Sequence, residues 1–519
     1  MSRRRSLVAL SLAAVCTHAL AVAAANAPLG YDDARHLLAR TGFGPTDAEV
    51  RTYARLSRTE AVESLLRDVR TTAVTPPPAF VSATEPLRAP RGENVTAEER
   101  RAFQQRNVRE GVELRGWWMR EMLATPSPLT ERMTLFWHNH FVSSQQKVRF
   151  ARLMYDQNAI LRANALGRFD TLLHASAKAP AMLVYLDVAQ SRRGQPNENF
   201  AREVMELFTM GEGHYTEQDI KEAARAFTGW SLNRDTGTYL FRPGLHDPGT
   251  KTVLGRTGRL DGDAVLDIIL AQPETAEFVV TKLWREFVSP QPDPADVRRI
   301  AQDFRAHDYD LKVAMRGLLL SPAFWARENR GTLVKSPAEF VVGTLRQLDI
   351  AQAPAVPLAV ATAGMGENLF APPNVKGWPG GETWINSSTL LARKQFLDRL
   401  ARGNDTPPAP TAMAMTGADA TMPVVLSPGP AAAPPTVQDE DKARARRFAQ
   451  AVERGLAGIR FDAAAWLAQR PGDTAEAKQA AALALLLPLP PVINDAPARD
   501  IDAAAFVRAT LLDPAFELK

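Results

Sequence analysis

Four clusters in this 519-residue chain combine side chains that bind metals or move protons. The first is Phe136-Trp137-His138-Asn139-His140-Phe141, with Glu131 one face-repeat upstream of His138. Imidazole is a common metal ligand and the side chain best suited to proton transfer near neutral pH. Spacing limits what this pair can do. In a continuous helix, residues two apart point about 200° from each other and cannot share an ion; in extended backbone they share a face and can. One metal on His138 and His140 therefore requires the helix to end near His138. The other reading is a buried aromatic helix end whose imidazoles bond to backbone carbonyls.

The second cluster runs from Asn197 to Phe208. On a helix, Phe200, Val204, Leu207 and Phe208 form an apolar face, while Glu198, Arg202 and Glu206 align at i, i+4, i+8 with Glu203 beside them. This is either a solvated face with two i, i+4 ion pairs or a set of acid/base groups, Glu203, Glu206 and Arg202, turned toward the histidines. The third cluster, His246-Asp247, would add loop ligands. His138, His140, His246 and Asp247 form an N/O donor set that suits a divalent ion such as Zn, Mn or Fe. The fourth, Pro372 to Ser388, packs Gly, Pro and Trp densely. It implies a tightly specified loop that either lines a pocket, with Asn374 and Trp378 as cofactor-contacting residues, or plugs a gap between helices. The sequence contains no Gly-x-Ser-x-Gly elbow, no phosphate loop, no dinucleotide fingerprint and no His-Glu-x-x-His.

The elements that must hold these clusters are helices. Ser127-Pro128, Ser321-Pro322 and Ser336-Pro337 each read as an N-cap followed by proline at the first helical position. Thr216 to Asp219 resembles a capping box ahead of a stripe at Ile220, Ala223, Ala224 and Phe227. Strand patterns are few, and Gly237 to Leu254 is the one predicted hairpin. Thr72 to Glu98 is predicted to be loose. Residues 403–440 are rich in Pro and Ala, lack Lys, Arg and aromatic residues, and are predicted to be a disordered linker or insertion. The fold class is mainly α, a multi-helix assembly with a small β hairpin element. The expected organisation is a signal peptide over 1–25, a main helical domain over 26–402, the 403–440 linker, and a C-terminal helical segment over 441–519 packing on the main domain.

Composition sets outer bounds. Net charge is only +4, and three of the cations, Arg3, Arg4 and Arg5, lie at the extreme N-terminus, so no basic face for nucleic acid is expected. The basic start, the apolar run Leu7 to Val15 and the small residues after it read as a signal peptide processed after Ala21, Ala23 or Ala25, with general or twin-arginine export. No later stretch is apolar and long enough to span a membrane. A periplasmic or secreted protein follows. The single cysteine, Cys16, lies in the segment to be removed, which leaves no disulfide and no thiolate ligand.

Taken in order, these motifs resemble the bacterial family catalogued as domain of unknown function 1800. The matching residues are Arg35-His36-Leu37-Leu38, Thr41 to Gly44, Phe136 to Phe141, Asn197 to Leu207, Tyr215 to Asp219, Ala226 to Trp230, His246-Asp247, Lys335-Ser336-Pro337, Pro372 to Ser388 and Leu511 to Leu518. The resemblance implies an exported, mostly helical protein and no defined activity. It also implies a sulfatase-like exported partner encoded nearby. Relatives usually carry Glu-Leu-His-Thr-Leu-Gly where this chain has Glu206-Leu207-Phe208-Thr209-Met210-Gly211, so if that histidine is a ligand in relatives, this chain lacks it. Two functions follow. The adopted reading is a non-catalytic binding or assembly protein acting with that partner. The alternative is a metal-assisted hydrolase or oxidoreductase built on the His/Glu cluster.

Overall fold

The computed structural model describes residues 27–83, 87–90, 92, 94–402, 437–493 and 502–519. The expected signal peptide and residues 403–436 of the expected linker lie outside them. Residues 437–440, expected to be loose, already belong to the helix Val437–Ala457.

Helix makes up 62% of the chain, and among the described residues strand is confined to two small antiparallel pairs, so the class is mainly α. The local reasons are largely those read from the sequence. Ser336 and Thr216 each form a complete capping box, with Glu339 and Asp219, and Ser321 caps Phe324 N. Ser127 departs from this pattern: its hydroxyl bonds Thr130 Oγ1 at 2.8 Å rather than a backbone N–H. The loose Thr72 to Glu98 stretch ends earlier than expected, because Thr96 and Glu99 form another capping box that opens a 28-residue helix.

Eight helices position the site. They are α1 (Gly30–Thr41), α2 (Ala97–Ala124), α3 (Pro128–His140), α4 (Ala151–Ala163), α5 (Glu198–Glu203), α6 (Glu217–Ala226), α7 (Pro273–Phe287) and α8 (Pro337–Gln347). Two apolar cores flank α3. Met133 and Trp137, four apart and so on one face, join Phe169, Phe200 and Phe287 in one core. Leu135 points the other way into a second core with Trp117, Trp118, Phe340, Phe506 and Phe516. The C-terminal residues Phe506 and Phe516 thus share a core with α2 and α8.

The expected hairpin over Gly237 to Leu254 is instead two hairpins. Strands β1 (Trp230–Asn233) and β2 (Thr238–Phe241) pair with each other, and β3 (Lys251–Val253) pairs with β4 (Arg256–Gly258). The second turn is Leu254-Gly255, both at positive φ (45° and 76°), the conformation that a two-residue hairpin turn favours. Each strand finds a local partner, so the two ends of the predicted hairpin do not pair.

Candidate functional site

Helix α3 runs unbroken through His140, and this decides the histidine question. Two residues apart on one helix, the imidazoles enter opposite sides. His138 is buried against Trp118, Phe370 and Trp378. Its Nε2 accepts from Phe370 N at 3.2 Å, and burial lowers its pKa to about 3, so it stays neutral. His140 is buried on the other side. Its Nε2 bonds Phe208 O at 2.9 Å, which makes that nitrogen the donor and leaves Nδ1 to accept from Lys282 Nζ at 3.2 Å. Burial, with Lys282 beside it, holds this imidazole well below its ordinary pKa.

Glu131, seven residues before His138, is saturated. Arg162 reaches it through Nε at 2.5 Å and Nη2 at 2.8 Å, and Trp118 Nε1 adds 2.9 Å. All three partners are buried, so this ion pair is a core device that locks α2, α3 and α4 together.

The second cluster meets the first through backbone, not side chains. After Glu203 the helix widens into a π segment, Val204–Thr209, and the Thr209 hydroxyl bonds Val204 O at 2.6 Å. At the end of that segment the carbonyls of Leu207 and Phe208, beyond the reach of the helical ladder, accept from Lys282 (3.3 Å) and His140. The wider turn also breaks the i, i+4, i+8 row read from the sequence. Arg202 pairs in bidentate fashion with Glu217 of α6 at 2.8 and 2.7 Å, and Glu206 accepts from Tyr215 Oη at 2.7 Å. Glu203 is half-buried; burial and then the Glu206 charge push its carboxyl up. Arg202, Glu203 and Glu206 do not touch either histidine.

Beside His140 a cleft of about 570 Å³ opens between α3, α7, α8 and the Pro372 to Ser388 loop. Its floor is charged. Arg132 pairs with Glu286 at 2.5 Å and Glu339 at 2.9 Å, and Lys519 Nζ lies 2.5 Å from the same Glu339 oxygen. Burial would push the Glu339 carboxyl up, but Arg132 and Lys519 outweigh it and hold the pKa below its ordinary value. Glu367 forms no ion pair and feels Arg132 only weakly: it accepts from Ala338 N at 2.8 Å, and burial raises its pKa to about 7. Lys282, Arg285 and Lys376 also line the cleft, and among the described residues none of them has a carboxylate partner within ion-pair distance. Burial, then Arg285, lowers the Lys282 pKa to about 8.

The Gly/Pro/Trp loop lines this cleft through Lys376, Trp378, Gly380 and Trp384. Asn139 fixes it: its amide donates to Trp378 O at 3.0 Å and accepts from Trp378 N at 2.7 Å. Gly377 is required there, since its φ is +79° and a Cβ would stand 2.2 Å from Asn139 Oδ1. Trp378 is buried over His138. Asn374 points its Oδ1 at Lys376 N (2.9 Å) to close the turn and does not line the cleft.

The His246-Asp247 loop stands apart. His246 Nδ1 bonds Thr228 O at 2.9 Å, and Asp247 takes Arg225 Nε at 2.8 Å and Gly249 N at 2.9 Å. The Arg225 hydrogen bond lowers the Asp247 pKa to about 2. The expected metal set of His138, His140, His246 and Asp247 is therefore dispersed, because α3 does not break at His138 and the loop is tied to α6. Among the described residues, no three His, Cys, Asp or Glu side chains are grouped to hold a metal ion.

Sequence reasoning missed Lys282, Glu286, Glu339 and Glu367. A faint signal existed for Lys282, a lysine three residues before Arg285 in the half of its helix that follows the apolar Phe278-Val279-Val280 run. For Glu367 there was none.

Residues 36–493 match the model of a family described as "Protein of unknown function (DUF1800)". No curated protein and no solved structure matches the chain.

Proposed function

The chain belongs to the DUF1800 family, and from that premise we propose that it is a binding protein whose cleft beside His140 takes a small anionic ligand. The observation that carries this reading is the set Lys282, Arg285 and Lys376, which line one cleft and, among the described residues, have no carboxylate within ion-pair distance. Glu286 and Glu339, by contrast, are consumed by Arg132 and Lys519. Arg285 and Lys376 are exposed at the cleft mouth and Lys282 is half-buried, and a partly desolvated cation without a counter-ion attracts an anion more strongly than a solvated one. Trp378 and Trp384 offer apolar cover for the rest of such a ligand.

An exported location belongs to the same proposal. It is supported by the basic start and the short apolar run before small residues, and no described helix is long and apolar enough to cross a membrane. A sulfatase-like exported partner completes it, on the strength of the family resemblance.

Calorimetric titration with lactate, succinate and inorganic phosphate tests the reading. At least one should bind saturably, more weakly as salt rises. The double variant Arg285→Ala/Lys376→Ala should lose about tenfold in affinity, the equivalent of one charge-assisted contact. Failure of every anion to bind the parent protein would remove the proposal.

A further inference from the structure

Lys282 is the side chain of the cleft whose surroundings fit covalent chemistry best. Its Nζ has two acceptors, His140 Nδ1 at 3.2 Å and Leu207 O at 3.3 Å, and both are neutral. His140 is committed to that role, because its other nitrogen is spent on Phe208 O. An ammonium has three hydrogens to place, whereas a neutral amine has two and a lone pair. Two neutral acceptors and no carboxylate therefore satisfy the amine form and leave its lone pair unengaged in a side chain that lines the cleft. The Phe136 ring at the cleft wall adds apolar cover; the Phe278 ring, 5.1 Å from Nζ, adds the same cover and a weak attraction for the charged form. This is the environment in which lysine becomes a nucleophile. The depressed Lys282 pKa agrees with the geometry.

We propose that Lys282 captures carbonyl compounds that carry a carboxylate, 2-oxo acids in particular, as an imine in the cleft. This rests on the anion-binding reading above, with Arg285 and Lys376 holding the carboxylate. The Nζ lone pair adds to the carbonyl carbon, the C=O π bond breaks, and the oxygen takes up the proton released from nitrogen, giving a carbinolamine. Its hydroxyl then leaves as water while a C=N bond forms, so that ketone and amine yield imine and water. The proton that the departing hydroxyl takes up comes from water in the cleft, and the nitrogen returns one to water as the imine forms.

The test uses the full chain with pyruvate and sodium cyanoborohydride near pH 7.5, followed by intact mass measurement and peptide mapping. One reduced adduct is expected, on Lys282, forming about tenfold faster than on any other lysine, because a larger share of this amine is unprotonated. The rate should rise as pH passes through 8, and lactate should slow it by competition. Lys282→Arg, which retains N–H donors but has no nucleophilic amine, should abolish the adduct while lactate still binds. Adducts spread evenly over surface lysines, or none on Lys282 although lactate binds, would overturn the capture and leave the anion cleft standing. Absence of both binding and adduct would overturn both.

Discussion

Two polar networks in this protein use the same residue types to different ends. One surrounds α3: Glu131 with Arg162, His138 against Trp118, and His140 with Lys282. The other ties α6 to the loop before β3: Arg225 with Asp247 and Glu222, His246 on Thr228 O, and Lys251 Nζ on the carbonyls of Asp247 (2.6 Å) and Gly249 (3.0 Å). In the second network Arg225 and Asp247 keep some contact with water, and their charges answer each other. In the first, the ion pair is fully desolvated and Lys282 meets only neutral acceptors beside an open cleft. Adjacency in sequence favoured His246-Asp247 as a functional pair. Burial and the absence of a counter-charge favour Lys282.

The comparison can be broken at several points. The largest effect is expected from Glu131→Gln, which leaves Arg162 charged and unpaired in the core. It should cost about 3–5 kcal/mol, read from urea unfolding, and a loss below 1 kcal/mol would show that the α3 network is solvated after all.

Acid should separate the two networks next. His36 and His138 have folded pKa values of about 3, and His140 lies well below its ordinary value. Each stays neutral when folded and takes a proton when unfolded, so its contribution is present above about pH 6.5 and is lost as pH falls toward 3. Glu367 acts in the opposite sense, because its raised pKa makes the folded state gain as pH falls from 7 toward 4.5. An imidazole whose folded pKa is about 3 loses about 1.6 kcal/mol between pH 6.5 and 5, and Glu367 returns about as much as one of them, so the three imidazoles leave a net loss. Asp247, with its pKa lowered to about 2, loses its contribution only between the unfolded value of 3.8 and 2. Hydrogen exchange at pH 5 should therefore quicken around α3 while the Asp247 loop stays protected; equal loosening of both would contradict the burial argument.

Asp247→Asn should cost about 1 kcal/mol, the scale of a partly exposed ion pair with a backbone hydrogen bond. A melting curve shifted as far as that of Glu131→Gln would erase the distinction.

The smallest effect concerns Glu203→Gln, expected within about 0.5 kcal/mol because the carboxyl is half-buried and unpaired. Glu203 and His138 share no hydrogen-bond partner, so a double-mutant cycle with His138→Ala should be additive within about 0.5 kcal/mol. The sequence-based expectation of one Glu203–His138 cluster requires strong coupling, and this cycle decides between them.

Local chemistry made much of the fold legible. The capping boxes at Ser336 and Thr216, the proline-started helices and the scarcity of strands all follow from residues within one turn of each other, where a hydroxyl finds a nearby N–H whatever the rest of the chain does. The same locality marked the Gly/Pro/Trp loop as tightly specified and left open whether it lines a pocket or plugs a gap; in the structure Trp378 lines the cleft while Asn374 closes a turn outside it.

The sequence alone determined the helical class, the family and the ambiguity at His138 and His140, because periodicity and motif order are properties of neighbouring residues. Only the tertiary structure decided that α3 continues through His140, that the helix after Glu203 widens into a π turn, and that Lys282, Glu367 and Glu339 from three separate segments face one cleft. The physical reason is that a side chain's charge state and reach depend on what desolvates it and what counter-charge lies near, and those groups arrive from positions tens to hundreds of residues away.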